Sequence, residues 1–203
     1  TKVVDSYIKV LNDIGLRPVA FDVEAVSLAR ALVDKNSLKE SFVNLQNDKP
    51  IGKGKKKKAE KPKKALPAIL LLDIGSRTTN LNIFDRNGIR ASLSIPVAGN
   101  KFTKSIANSL KVTQKKADEL KVKVGFDSKQ NQGRVVLALQ KEFTRLISEA
   151  KKLISFYEDS SGRMVGLIIL AGGSSLLPKI ADYLSQNLNL EVKVGDPLVK
   201  VKD

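Results

Sequence analysis

Leu71-Leu72-Asp73-Ile74-Gly75-Ser76-Arg77-Thr78-Thr79-Asn80 is the stretch on which the fold reading turns. The apolar run 68–72 ends in a carboxylate, a glycine follows two residues later, and small hydroxyl residues come next. Alternation resumes with Leu81 and Ile83 and is cut by Asp85-Arg86-Asn87-Gly88. Asn-Gly between alternating segments is a strong hairpin signal. The stretch therefore reads as strand, sharp turn, strand, turn, strand. Two readings of the first turn stay open. Asp-x-Gly with Ser and Thr nearby is an ordinary hairpin turn. It is also a set of phosphate ligands, because the N–H groups of Gly75 and Ser76 and the hydroxyls of Ser76 and Thr78 suit phosphate oxygens. Asp73 then suits a hydrated magnesium ion, which takes a carboxylate or two together with phosphates and waters.

Downstream, 89–97 reads as a third strand, and Ala98-Gly99-Asn100 turns into a helix with Phe102, Ile106, Ala107 and Leu110 on one face. Thr113 can cap a second helix bearing Ala117, Leu120 and Val124. After a polar, turn-like segment at 125–133, Leu139, Phe143, Leu146, Ala150, Leu153 and Tyr157 form the apolar stripe of the longest helix, facing a sheet. Ser160-Ser161-Gly162 breaks it, and the apolar run 165–170 reads as a strand buried on both faces. That strand ends in Ala171-Gly172-Gly173-Ser174-Ser175. Pro178 is assigned to the first turn of the next helix, with Ile180, Ala181, Leu184 and Leu188 on its apolar face and a last strand at 190–194. This is a βαβ unit, and ligands bind where such strands end. Gly172 and Gly173 would admit a ligand close to the backbone; a tight turn alone explains them equally. Upstream, Val3, Tyr7, Val10, Leu11 and Ile14 mark a helix stopped by Gly15, and 17–22 reads as a short buried strand with Pro18 near its start. Asp22 is read as the cap of a helix carrying Glu24, Ala25, Val26, Leu28, Ala29 and Leu32.

Composition removes several chemistries. The 203 residues are 42% hydrophobic and 28% charged, which suits a globular protein of one or two domains. With no cysteine and no histidine, disulfides, thiolate metal sites and Ser-His-Asp triads are excluded. No apolar run approaches the roughly 20 residues of a membrane-spanning helix. The net charge is +15, and nearly half of the excess lies at 48–64, where nine lysines face only Asp48 and Glu60. Rich in Lys, Gly and Pro and without apolar periodicity, this run reads as a disordered loop. A solvated insertion and a nucleic-acid or lipid tether are both open. No aromatic residue interleaves the lysines, so stacking on single-stranded bases is absent from it.

The two glycine turns, Asp73-Ile74-Gly75 opening a hairpin and Gly172-Gly173 near the end, together resemble the actin-like ATPase superfamily, which includes actin, MreB, FtsA, heat-shock chaperone ATPases and sugar kinases. Val23-Glu24-Ala25-Val26 resembles that family's helix crossing between two lobes, and Ala117-Asp118-Glu119-Leu120-Lys121 resembles its Ala-Glu-x-Ile-Lys motif. Asp118 departs from the usual glutamate and is shorter by one methylene. Within the superfamily the chain is most similar to the PilM family of type IV pilus assembly. The likeness rests on Asp73-Ile74-Gly75, Ala98-Gly99-Asn100-Lys101-Phe102-Thr103, 117–125, Phe156-Tyr157 and Val194-Gly195-Asp196-Pro197. Ala98 departs from that family's first glycine and Asp196 from a frequent asparagine. FtsA-like proteins are the second likeness.

The resemblance implies an α/β, actin-like (ribonuclease H-like) mixed sheet flanked by helices. It implies a tail of lobe one at 1–22, the crossing helix and following segment at 23–47, a lysine-rich insertion at 48–64, and a complete lobe two at 65–203. It implies ATP and Mg2+ as cofactors, with Asp73 organising the metal and Glu24 positioning water. Gly75, Ser76 and Thr78 would hold phosphate, while Gly172, Gly173, Ser174, Asp118 and Lys121 would hold adenosine. The implied role is an ATP-binding cytoplasmic component of type IV pilus assembly, peripheral to the inner face of the cell membrane. Its partner would be a PilN-like inner-membrane tail whose groove lies mostly outside this chain, and self-assembly is a further expectation. A cell-division role of FtsA type, and a basic nucleic-acid-binding module built on the lysine run, are the alternatives, with nucleic acid not the expected partner. Without the family's first phosphate loop the chain alone is expected not to turn over ATP. The lysine run supplies a direct check. Replacing 49–64 with a short Gly/Ser linker is expected to leave the melting temperature within a few degrees, since surface changes usually cost within about 0.5 kcal/mol; loss of cooperative melting would show that the run packs.

Overall fold

The computed structural model describes residues 2–34 and 67–201, so the lysine run at 48–64 and the segment at 35–47 that precedes it lie outside the described residues. At its centre is the strand β1 (Ala68–Ile74), followed by β2 (Thr79–Asp85) and β3 (Gly88–Ile95) in an antiparallel meander. Three helices follow: α3 (Gly99–Leu110), α4 (Gln114–Val124) and α5 (Arg134–Ser161). The strand β4 (Val165–Ala171) then pairs in parallel with β1, and the helix α6 (Ile180–Leu188) leads to β5 (Glu191–Val194), parallel to β4. Upstream lie α1 (Lys2–Asp13) and α2 (Glu24–Leu32). The sheet order is β3-β2-β1-β4-β5, a mixed sheet with its parallel half on the β4 side.

Side chains that alternate along β1 and β4 bury both faces. Leu70, Leu72, Ile74, Ile168 and Leu170 join α3, α4, α5 and α6 in the larger core. Ile69, Leu71, Leu167 and Ile169 pack instead against Ala29, Leu32 and Val33 of the α2 segment. By the same period, Asp73 falls on the α2 face. The long helix behaves as its periodicity predicts. Leu139, Phe143, Leu146, Ala150 and Tyr157 are buried, and Phe143 meets Phe102 and Phe126 with ring centroids 4.7 Å away in each case. Thr113 caps α4 by accepting the Lys116 N–H at 3.3 Å.

Three local readings change. The residues at 17–22 form no strand: they pair with nothing in the sheet, and Val19 and Phe21 are exposed. A strand needs a neighbour for its backbone groups, and no described element lies alongside. For the same reason the apolar stripe of α1 is uncovered, with Val3, Tyr7, Val10 and Ile14 all exposed. Asp22 precedes rather than occupies the N-cap, which is Val23; its carboxylate accepts the Val23 N–H at 2.8 Å and pairs with Arg30 at 2.6 Å. The hairpin turn at 85–88 stands as read, with Arg86 and Asn87 at its centre and Asp85 facing Gly88, whose φ is +105°. Beyond it the register shifts between Ile83 and Phe84, which leaves Arg90 as the extra residue of β3. That turn is held by Asp85, whose buried carboxylate accepts from Asn87 N–H at 2.7 Å, Arg163 at 3.0 Å and the Tyr157 hydroxyl at 3.3 Å. Pro178, finally, lies ahead of α6 rather than in its first turn, and its carbonyl accepts the Phe126 N–H at 2.8 Å.

Phe143→Ala is expected to cost about 3–5 kcal/mol, the usual loss for a truncated core phenylalanine. Lys151→Ala, on the exposed side of α5, is expected to stay within about 0.5 kcal/mol. Urea denaturation of the two variants reads the difference; equal small effects would show that α5 does not close the core.

Candidate functional site

The parallel pairing of β1 and β4 sets Asp73 opposite Ala171, so both glycine turns leave the same end of the sheet. Gly172 carries φ +78°, a region that favours glycine. A Cβ there would lie 2.5 Å from Asp73 Oδ1 and 2.6 Å from the Ile74 carbonyl oxygen, so the Gly172 backbone runs directly against the carboxylate. Gly173 is the opposite case: it is exposed, and nothing lies within 4 Å of where its Cβ would be. Ser174 is buried in the short 3-10 turn Gly173–Leu176, and the Ser175 hydroxyl closes that turn on the Gly172 carbonyl at 2.7 Å.

In the first turn the Gly75 N–H donates to the Thr78 carbonyl at 3.1 Å. That N–H is therefore spent inside the turn, and the sequence-based assignment of it to phosphate is corrected. Ser76, Arg77 and Thr78 follow around the exposed tip. The carbonyls of Gly75 and Ser76 accept the N–H groups of Gly99 at 3.0 Å and Asn100 at 2.8 Å, which ties the start of α3 to the turn. Gly99 is wedged there, since a Cβ would sit 3.2 Å from Ser174 Oγ and 3.3 Å from the Gly75 carbonyl. Lys121, on α4, reaches the same corner: its ammonium donates to Asp118 at 2.6 Å, to Thr103 Oγ1 at 2.8 Å and to the Gly99 carbonyl at 3.5 Å. The Lys121 hydrogen bond, then the one from Thr103, holds the Asp118 carboxyl below its ordinary range. A lowered folded pKa means that this pair's contribution is present above the unfolded value and is lost as pH falls through the folded one.

Across the sheet's other face, Glu24 opens α2 and lines a cavity of about 380 Å³ together with Val23, Asp73, Asn80, Asn82 and Ser94. The Asp73 carboxyl is half-buried, and burial pushes its pKa up, partly offset by a hydrogen bond from Asn80. A carboxylate that is costly to ionise where it stands is one that a cation would stabilise. Among the described residues there is no cluster of three or more carboxylate or other metal-ligating side chains. That donor set fits magnesium, which fills most of its positions with water and phosphate, better than a metal needing a protein cage. Thus Asp73, Glu24, Gly172 and the 75–78 turn converge, and Asp118 and Lys121 join them through Gly99. Asn80, Asn82, Ser94 and Gly99 are the members that sequence reasoning missed. The sequence shows only that residues 80 and 82 are polar and alternate with Leu81 and Ile83, and it is the sheet order that makes β2 internal.

The sequence profile of the family described as Cell division protein FtsA matches residues 70–203. The chain belongs to the FtsA family. A curated relative, Cell division protein FtsA of Neisseria meningitidis serogroup B, is 23% identical over 96% of this chain and 53% of its own length. The protein of a PilM–PilN type IV pilus biogenesis complex superposes with TM-score 0.64 at 22% identity, covering 96% of this chain and 48% of that one. MreB5 of Spiroplasma citri bound to ADP superposes with TM-score 0.61 at 20% identity, covering 95% of this chain and 60% of that one. The chain thus spans about half the length of the curated relative it matches, and its mixed five-stranded sheet flanked by helices has the actin-like ATPase fold. Among the described residues no helix is long and apolar enough to cross a membrane.

The two glycines of the second turn separate by substitution. Gly172→Ala is expected to destabilise by about 1–3 kcal/mol or more, through positive φ and collision with Asp73. Gly173→Ala is expected to stay within about 0.5 kcal/mol. Thermal melting of both checks this, and equal melting would show that the turn does not run against Asp73.

Proposed function

We propose that this chain holds Mg-ATP at the joined ends of β1 and β4, as the lobe-two portion of an actin-like ATPase. The observation that carries the reading is the contact of the Gly172 backbone with Asp73 beside the cavity that Glu24 lines. The 76–78 turn would take the phosphate oxygens, and the open space at Gly173 would admit the nucleoside. The Lys121–Asp118 pair would border that space. Magnesium, held through water by Asp73, would neutralise charge on the phosphates. Glu24, at the start of α2, would orient a water. Phosphoryl transfer depends mainly on positioning and charge stabilisation, so the residues' task is alignment.

At the level of process, the chain acts as a platform at the inner face of the membrane in type IV pilus assembly, recruiting a membrane-protein tail. The likeness to the PilM protein of a PilM–PilN complex supports this, alongside the motif resemblance. A second reading, a cell-division role, is favoured by the family profile and the curated relative. Affinity purification from the native host separates them: recovery of a pilus inner-membrane component supports the first, and recovery of the tubulin-like division protein supports the second.

The cofactor reading is tested in the full-length protein with Asp73→Ala. Calorimetry is expected to show Mg2+-dependent ATP binding by wild type and loss of most of the Mg2+ dependence in the variant, with residual binding through the nucleoside. A charge-assisted contact is worth about 1.5–3 kcal/mol, so about a tenfold or greater change is expected; identical Mg2+ dependence in both proteins would remove Asp73 from the metal site.

A further inference from the structure

The face of the sheet beneath α2 changes character along its length. Under Leu28, Ala29 and Leu32 it is apolar, with Ile69, Leu71, Leu167 and Ile169. Under Glu24 it is polar: Asn80 pairs across with Asp73 on one side and Ser94 on the other, and Asn82 pairs with Ser92. Asparagine is depleted in strands, and burying its amide costs free energy unless every donor and acceptor is met. Asn82 lies in the inner strand β2 and is 4% exposed. In the structure its Oδ1 accepts the Ser92 hydroxyl at 2.6 Å, and in that orientation Nδ2 turns away from Ser92. No described residue accepts from that Nδ2, although Asn82 lines the cavity shared with Glu24 and Asp73. A buried donor without a partner among the described residues, beside a cavity large enough for several waters, is met by water.

We propose that Asn82 is a further catalytic residue, holding with Glu24 the water that attacks the nucleotide, and that Ser92 is the residue that positions the Asn82 amide. The inference rests on the nucleotide reading above. Asn82 Nδ2–H donates to a lone pair of the water while the water donates to the Glu24 carboxylate, leaving the second lone pair for phosphorus. In the step itself the water oxygen bonds the terminal phosphorus. The bond to the bridging oxygen breaks, and its electron pair leaves with the diphosphate. One proton remains on the new phosphate, and the other passes to Glu24 and on to solvent. Because Asn82 touches the water and not the nucleotide, its loss falls on turnover rather than on ground-state binding.

The full-length protein tests this through Asn82→Leu and Ser92→Ala, each measured for Mg-ATP affinity by calorimetry, single-turnover hydrolysis and melting temperature. Asn82→Leu strips Ser92 of its partner, but Ser92 is exposed and its hydroxyl can turn to water, so the cost to folding is small. Asn82→Leu is therefore expected to melt near wild type, to bind Mg-ATP within about twofold, and to hydrolyse it about tenfold more slowly, the loss of roughly one hydrogen bond in the transition state. Ser92→Ala, on the exposed edge strand, is expected to slow hydrolysis by a smaller factor, again without loss of affinity; it decides the matter if Asn82→Leu does not fold. Wild-type turnover in a folded Asn82→Leu protein, or loss of affinity in parallel with rate, overturns the inference. A wild-type protein that binds Mg-ATP and shows no turnover overturns it too while leaving the binding site standing, whereas one that binds no Mg-ATP overturns the proposed function itself.

Discussion

The parallel ladder between β1 and β4 is the constraint on which the rest depends. It aligns Asp73 with Ala171, and the next residue, Gly172, can then pass over the carboxylate only because it has no side chain. Nearly a hundred residues separate the two turns in sequence, yet any side chain at 172 would collide with Asp73. The intervening helices serve that contact. The first residues of α3 are tied by backbone hydrogen bonds to the turn after β1, and Gly99 fills the gap between that turn and Ser174. α5 closes the core behind them through Phe143. A site made this way rests on strand ends and a helix N-terminus rather than on a free loop, which is how positional accuracy is obtained.

The same constraint explains what the sequence discloses and what it conceals. The runs at 68–74 and 165–171 are long, apolar and bounded by turn residues, and both are strands buried on two faces. The three-and-four spacing from Leu139 to Tyr157 identifies one face of α5, and the Thr113 cap is visible from residue type alone. Asp73 and Gly172 are each legible as turn residues, but their contact is not, because it requires β4 to insert beside β1 rather than beside β3. Upstream, periodicity misleads. The stripe of α1 and the residues at 17–22 have the pattern of buried elements, yet Tyr7 and Val19 face solvent. A pattern tells which residues share a face; it does not supply the surface that would cover it.

The polar patch under α2 was concealed for a related reason. Along β2, Leu81 and Ile83 mark the face toward the larger core, and the alternate positions pass as the solvent side of an edge strand. In the sheet β2 is internal, and those alternate positions, Asn80 and Asn82, lie under α2 beside Asp73 and Glu24. Two amides in an inner strand carry a desolvation cost that packing does not recover. Such departures from the apolar rule tend to mark function, and here the departure coincides with the one cavity that both Asp73 and Glu24 line among those described.

One nucleotide bridging both turns is the central requirement of the proposed site. Gly173 decides it most directly, because the position is open and a larger side chain there has room in the protein but not beside a bound nucleoside. Calorimetric titration of the full-length protein and its Gly173→Val variant with Mg-ATP, alongside their melting curves, makes the test. The variant is expected to melt like wild type and to bind Mg-ATP at least about tenfold more weakly, a difference of about 1.4 kcal/mol. A folded Gly173→Val protein with wild-type affinity would contradict the proposed site.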